Sequence, residues 1–129
     1  DTNRLTIAFF CVSGLDILNA LDKIENKQHI IDWVYSLQVL PKDLNGMIFL
    51  MHLKWKDVKN AGFIGGSYLG IPFDESEKRK MNTPYYYQGH LAMTYVALAI
   101  LKILGDDFSR VNKKAIIDSL KYLQKENGG

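Results

Sequence analysis

Three histidines are the residues of this sequence best suited to acid–base or metal chemistry, and they lie far apart. They stand at positions 29, 52 and 90, so no two have the i, i+4 spacing that places a pair of metal ligands on one side of a helix. We interpret His29 as a side chain of a first helical turn. His90 opens an apolar helical pattern, where its imidazole would face the mouth of a cavity if such helices line one. The alternative is an ordinary residue at a helix start.

One acidic pair and one cysteine complete the candidates. Asp106 and Asp107 follow a glycine, and two carboxylates without further ligands do not make a magnesium and diphosphate site. We interpret the pair as a solvated turn and expect no magnesium requirement. Cys11 has no base or cation beside it in the sequence, which favours a buried apolar thiol over a nucleophile. A single cysteine excludes an intrachain disulfide and favours a reducing, cytoplasmic location.

Composition excludes several classes of protein. The 129 residues are 47% hydrophobic and 12% aromatic, which suffices for the core of one domain. The formal net charge is +2 with both signs interspersed, so we expect no nucleic-acid partner. Polar residues interrupt the apolar stretches well before the about 20 residues needed to cross a bilayer, so we expect no membrane span.

Two segments would form helices that are apolar on most sides, and these helices must position the candidate residues. They are residues 5–21 and 91–104. An apolar pattern on nearly every side predicts a helix that is buried on several sides. Gly105 is expected to end the second of them.

Two other segments are amphipathic. Ile30, Val34 and Leu37 share one helical side at i, i+4 and i+7, and the stretch 116–123 repeats this stripe. Asn26 and Asn112 precede the two patterns. Because an Asn side chain can accept a hydrogen bond from a free N–H of the first turn, we predict that both are N-caps.

The two pairs of segments are related by one offset of 86 residues. The matching apolar residues are Leu5, Leu15, Ile17 and Leu18 with Leu91, Leu101, Ile103 and Leu104. The matching amphipathic residues are Asn26, Lys27, Ile30, Ile31, Asp32, Leu37 and Gln38 with Asn112, Lys113, Ile116, Ile117, Asp118, Leu123 and Gln124. Chance similarity between apolar helices explains the first set but not the polar matches. The sequence therefore predicts a duplicated helical hairpin, in an array that is open or closed into a ring.

The long connection between the repeats, residues 41–89, is rich in glycine. Its glycines at positions 62, 65, 66 and 70 are not followed by the Lys-Ser/Thr of a phosphate-binding loop, so we expect tight backbone packing beside helix ends. The stretch 46–55 is strongly apolar and fits neither a solvated loop nor a clear amphipathic helix.

Four segments, in order, resemble the β subunits of protein prenyltransferases. They are RLTIAFFCVSGLDIL (4–18), DWVYSLQVLP (32–41), GFIGGSYLGIPF (62–73) and QGHLAMTYVALAILKILGDDFSRVNK (88–113). Gln124 and the final Gly-Gly, with three residues between them, resemble the Gln and Gly-Gly repeat ending of this family and of the triterpene cyclases. The narrower motifs SYLGIPF and HLAMTY favour the geranylgeranyltransferase type I group.

The resemblance implies an all-α fold, a partial α/α toroid. Its two helical-hairpin repeats would span about 4–40 and 90–129 around the loop 41–89. In the family, inner helices line a funnel that binds an isoprenoid diphosphate, here geranylgeranyl diphosphate, and the C-terminal Cys-a-a-X (CaaX) peptide of an acceptor protein. The β subunit acts in a heterodimer with an α subunit. An arc of such a ring is expected to expose inner helices that neighbouring repeats would cover.

Four site residues follow from the resemblance. Thr6 matches the position at which a bulky Trp in farnesyltransferases gives way to Thr in the type I group, which makes room for a fourth isoprene unit. Phe10, one turn later, matches an aromatic residue that lines the same lipid pocket. His90 and Ala92 match positions that contact the last residue of the peptide.

The resemblance also implies what this sequence lacks. The catalytic zinc of the family is held by an Asp, a Cys and a His in later repeats, so no zinc ligand and no catalytic residue is expected here. The stretch 42–60 is longer and more apolar than the family pattern. The sequence begins without Met and ends just after a helical pattern, so we expect a part of a longer subunit. The alternative is a non-catalytic helical repeat that binds a partner or a lipid.

Overall fold

Four α-helices make up most of the structure, a computed structural model that describes residues 3–39, 61–66 and 89–128. The helices are α1 (Arg4–Ile17), α2 (Lys27–Ser36), α3 (Leu91–Ile103) and α4 (Lys113–Leu123). A 3-10 turn, Leu21–Lys23, links α1 to α2. The prediction of a mostly helical fold is confirmed. The apolar stretch 46–55 and Gly70 lie outside the described residues.

The two amphipathic helices begin at equivalent positions, as the repeat predicts. The Asn26 side-chain oxygen accepts a hydrogen bond from the His29 N–H at 3.0 Å, and Asn112 accepts one from the Ala115 N–H at 3.0 Å. Both predicted N-caps are confirmed. Since α2 starts one residue after the first cap and α4 one residue after the second, the offset of 86 residues holds in three dimensions.

The two apolar helices end in the same way, at residues 86 positions apart. Gly105 ends α3 with a φ of +84°, and the Asp106 N–H donates to the Leu101 carbonyl at 2.9 Å, which is the bond pattern of a Schellman motif. The first helix ends earlier than its apolar run, at Ile17. Asn19, the equivalent of Gly105, has a φ of +53°, and the next residue's N–H donates to the Leu15 carbonyl at 2.7 Å, so the same motif ends α1.

A short strap, residues 61–66, is largely buried and was not predicted as part of the core. Its strand β2 (Gly62–Phe63) pairs antiparallel with β1 (Gln38–Val39). Phe63 is fully buried. The Leu5 N–H donates to the Gly65 carbonyl at 2.8 Å, and the His90 N–H donates to the Phe63 carbonyl at 2.9 Å. Tight backbone packing beside helix ends is therefore confirmed for this part of the glycine-rich stretch.

The core lies between the four helices and the strap, and one side of each apolar helix stays open. Fully buried side chains include Leu5, Val34, Leu37, Phe63, Ile100 and Leu101. In contrast, Ile7, Phe10, Ile17 and Leu18 at and just after α1 are exposed. The prediction that α1 is buried on several sides is therefore wrong for this chain, because no other described element covers that side. The expected exposure of inner helices is observed.

Candidate functional site

The lipid-site candidates Thr6 and Phe10 lie one turn apart on the same side of α1. Thr6 is half-buried, and its hydroxyl Oγ1 lies 3.6 Å from the Sδ atom of Met93 on α3. Phe10 is 67% exposed, so its ring forms part of the open surface of the helix. The two candidates thus combine a small side chain in contact with a neighbouring helix and an exposed aromatic ring one turn later.

An aromatic cluster continues this surface from α1 onto α3. The ring centroid of Phe9 lies 5.8 Å from that of Phe10 and 6.3 Å from that of Tyr95, in an edge-on arrangement in the second case. Such edge contacts between aromatic rings are favourable beyond the area they bury. Tyr95 was not predicted as a site residue, although the offset of 86 residues makes it the equivalent of Phe9.

His90 is the N-cap of α3. Its ring nitrogen Nδ1 accepts a hydrogen bond from the Ala92 N–H at 3.2 Å. In the neutral imidazole the hydrogen is then on Nε2, which leaves that atom as a donor. Both His90 and Ala92 are exposed, so the two peptide-site candidates form one accessible corner at the start of α3.

The buried residue Thr94 holds that corner in place. Its hydroxyl donates to the His90 carbonyl at 3.0 Å and accepts from the Phe63 N–H at 3.0 Å. Gly62 makes this approach possible, because a Cβ atom there would lie 2.5 Å from the Thr94 Oγ1. Thr94 was not predicted as a site residue, since a threonine within an apolar helix carries no signal of its own.

The strap brings the two pairs of candidates to the same end of the molecule. It accepts a hydrogen bond from the first turn of α1 through Gly65 and one from the start of α3 through Phe63. The two helix starts therefore lie side by side, with Thr6 on one and Ala92 on the other. The arrangement suits recognition of an extended apolar ligand whose end lies near a hydrogen-bond donor.

The acidic pair after α3 is part of a polar turn. The Tyr35 hydroxyl donates to the Asp106 carboxylate at 2.5 Å, and the Phe108 N–H donates to the same oxygen at 2.8 Å. Burial, followed by the bond to Asp106, raises the pKa of the Tyr35 phenol. The Ser109 N–H lowers the pKa of Asp107. Both carboxylates thus hold the turn together, as the turn interpretation expects.

A charged contact joins the same turn to α2. The Arg110 guanidinium contacts the Asp32 carboxylate at 2.5 Å and lies over the Tyr35 ring at 4.2 Å. Hydrogen bonds from Arg110, then from Gln28, lower the pKa of Asp32. These residues stabilise the turn and lie at the opposite end of α3 from His90.

Candidate metal ligands lie apart from one another in the described residues. In the part of the chain that the structure describes, no three His, Cys, Asp or Glu side chains come together to hold an ion. The zinc that the resemblance implies is therefore not assigned to these residues. Cys11 is exposed on the open side of α1, so its predicted burial is wrong. Across the described residues, no helix is long and apolar enough to cross a membrane.

Comparison with known proteins places this arrangement in a family. The family model described as "Prenyltransferase alpha-alpha toroid domain" matches residues 1–129. The geranylgeranyl transferase type-1 subunit beta of Dictyostelium discoideum is 49% identical over 131 residues, covering 98% of this chain and 35% of the relative. The subunit of the same name from Arabidopsis thaliana is 37% identical over 128 residues, covering 99% of this chain and 30% of the relative. The chain thus spans about a third of the length of these relatives. It belongs to the prenyltransferase alpha-alpha toroid family.

Proposed function

We propose that the chain is the part of a protein geranylgeranyltransferase type I β subunit that selects the lipid and the peptide. The observation that carries the proposal is the contact between Thr6 and Met93, which places a small side chain between α1 and α3 beside the exposed Phe10 ring. Similarity to two type-1 β subunits over nearly the whole chain supports it. In this proposal the substrates are geranylgeranyl diphosphate and proteins that end in Cys-a-a-X.

The lipid part of the proposal rests on side-chain volume. A Trp in place of Thr6 would fill the space between α1 and α3 and reach toward Phe10. The small Thr instead leaves room for about one additional isoprene unit, and the apolar rings of Phe9, Phe10 and Tyr95 supply a wall for it.

The peptide part rests on the corner formed by His90 and Ala92. The cap bond fixes the imidazole plane at the start of α3, and Nε2–H is left to donate to a carbonyl or carboxylate of the peptide. The methyl group of Ala92 leaves space for the peptide's last side chain. His90 is thus proposed as a binding residue, and no proton transfer is assigned to it.

The remaining parts of the proposal concern the assembled enzyme. We infer a cytoplasmic heterodimer with an α subunit, and zinc held by residues other than those described here. The described residues would bind and orient the two substrates, while formation of the peptide thiolate is not assigned to them. Their contribution is specificity.

A chimera tests the proposal directly. Residues 1–129 replace the matching region of the Dictyostelium relative, and the chimera is produced together with the α subunit from that organism. We expect geranylgeranyl transfer to a Cys-a-a-X protein at a rate close to that of the unaltered relative. A chimera that assembles and unfolds cooperatively but transfers no lipid would contradict the proposal and favour a non-catalytic binding module.

A further inference from the structure

His90, one of the two peptide-site candidates, is fixed by hydrogen bonds at its backbone as well as at its side chain. Its N–H donates to the Phe63 carbonyl at 2.9 Å. Its carbonyl accepts from the Thr94 N–H at 2.8 Å and from the Thr94 hydroxyl at 3.0 Å. The residue has an extended backbone, with a φ of −119° and a ψ of +135°, directly before α3 begins. An exposed residue is thus tied to two buried ones.

The Thr94 hydroxyl replaces one bond of a strand pair. Two residues opposite each other in a hydrogen-bonded antiparallel pair exchange both of their N–H···O bonds. Phe63 and His90 make one such bond directly. In the other direction the Phe63 N–H donates to the Thr94 Oγ1 at 3.0 Å, and this oxygen in turn donates to the His90 carbonyl. We call these three bonds, which join His90 to the strap, the clamp.

The clamp is more than a common bond within a helix. Threonine side chains in helices often donate to the carbonyl four residues earlier, and the bond from Thr94 to His90 alone would be of this kind. Here the same oxygen also accepts from Phe63, and Phe63 and Thr94 are only 0% and 6% exposed. Without the hydroxyl, the buried Phe63 N–H would lose its acceptor and His90 would lose one of its two ties to the strap.

The helical repeat itself does not require this hydroxyl. The offset of 86 residues places Ala8 of α1 at the equivalent of Thr94. Ala8 packs against the same core with a methyl group in that place. The hydroxyl therefore belongs to the helix that begins with His90, and packing of a hairpin does not explain it.

We propose that Thr94 is a positioning residue for peptide binding, an inference that rests on the proposed peptide role of His90. Since Thr94 is buried, it acts through His90 and not by contact with the peptide. The clamp fixes the His90 backbone, and the bond from the Ala92 N–H fixes the imidazole on that backbone. The Nε2–H donor then keeps one direction toward the peptide's last residue. A freer His90 binds the peptide more weakly, while the lipid beside Thr6 and Phe10 binds as before.

Steady-state kinetics of the chimera with its α subunit test the proposal. Thr94→Val keeps the shape of the side chain and removes the hydroxyl, whereas Thr94→Ser keeps the hydroxyl. We expect Thr94→Val to raise KM for the acceptor peptide about 5-fold, the order of one well-oriented hydrogen bond. Both kcat and KM for geranylgeranyl diphosphate should be nearly unchanged. Thr94→Ser should have a peptide KM close to that of the unaltered chimera, and an unchanged KM in Thr94→Val would overturn the proposal.

Tyr35→Phe is the control for a general loss of stability. It also removes a hydroxyl that is bonded within the chain, but at the opposite end of α3 from His90. The peptide KM of this variant should stay unchanged even though its melting temperature falls. An equal rise in KM in Tyr35→Phe and Thr94→Val would overturn the proposal, because reduced stability would then explain both.

Combination with His90→Ala shows whether Thr94 acts through His90. Loss of the imidazole should raise the peptide KM, and the addition of Thr94→Val should raise it no further. Two factors that multiply in the double variant would overturn the proposal. If His90→Ala raises KM and Thr94→Val does not, the proposed function stands and the role of Thr94 falls. If His90→Ala leaves KM unchanged, the peptide role of His90 and the role of Thr94 both fall.

A second substitution decides the matter if Thr94→Val does not assemble with the α subunit. In Thr94→Cys the thiol is a weak donor and a weak acceptor, so the clamp is weakened but not lost. We expect the peptide KM to rise by a smaller factor than in a complete loss of the hydroxyl, again with little change in kcat. An unchanged KM in the assembled Cys variant would overturn the proposal.

Discussion

The Oγ1 atom of Thr6 lies 3.6 Å from the Sδ atom of Met93, so the proposed lipid-length residue packs directly against the helix that carries the proposed peptide corner. A larger residue at position 6 must either displace Met93 or turn outward over Phe10. Either movement changes the packing between α1 and α3.

We predict that Thr6→Trp in the chimera changes the lipid preference. The indole would occupy the volume proposed for the last isoprene unit, so the ratio of kcat/KM for geranylgeranyl over farnesyl diphosphate should fall roughly 10-fold or more. Thr6→Val is the matched control, because it keeps the volume and loses only the weak contact to sulfur. An unchanged ratio in a Trp variant that melts normally would refute the lipid role of Thr6.

His90 allows its capping role and its proposed peptide role to be separated. His90→Asn keeps a capping side chain and removes the imidazole, whereas His90→Ala removes both. We expect both variants to raise KM for the acceptor peptide with little change in kcat. Only the Ala variant should lose stability, by about 1 kcal/mol, since the cap is absent. Unchanged KM in both variants would show that His90 is only a cap.

The sequence was informative where structure depends on near neighbours. The two Asn caps and the Gly105 ending were predicted because each is set by bonds within a few residues. The burial of Phe63 was missed, because it results from strand pairing and from contacts with helices distant in sequence. Cys11 was predicted to be buried but is exposed, because an apolar helical pattern does not indicate which sides of the helix contact another element.

Two glycines with opposite surroundings provide a stability test. A methyl group at Gly14, within α1, would meet no heavy atom within 4 Å among the described residues. Gly14→Ala should therefore stabilise the chain by about 0.5–1 kcal/mol through helix propensity. Gly62 has a φ of +149° and no space beside the Thr94 hydroxyl, so Gly62→Ala should destabilise it by about 2 kcal/mol or more. Urea unfolding measures both, and effects of the same sign would contradict the described strap.

Tyr35 should contribute to stability through its hydroxyl group. Tyr35→Phe leaves the Asp106 oxygen with the Phe108 N–H but without the phenol at 2.5 Å. We expect a loss of about 1–2 kcal/mol in the free energy of unfolding, as for a bond to a charged acceptor. Tyr95→Phe, at a largely exposed ring, is the control and should be nearly neutral. Equal effects of the two variants would argue against the bond to Asp106.

The contact between Asp32 and Arg110 predicts a pH dependence. The pKa of Asp32 is lowered in the folded chain, so its contribution is complete above the unfolded value of about 3.8 and is lost as the pH falls through the folded pKa. Both side chains are partly exposed, so Asp32→Asn should cost only about 0.5 kcal/mol at pH 7. The cost should be the same at pH 5 and should shrink at pH 3, below the unfolded value of about 3.8, because the carboxylate of the unfolded chain then takes up a proton more readily than that of the folded chain. Urea unfolding at the three pH values measures it, with Asp22→Asn as a control, because the ion pair of Asp22 is with its exposed neighbour Lys23 at 3.4 Å. A cost that grows on acidification would mean that the carboxylate destabilises the fold and that the Arg110 contact does not hold the turn to α2.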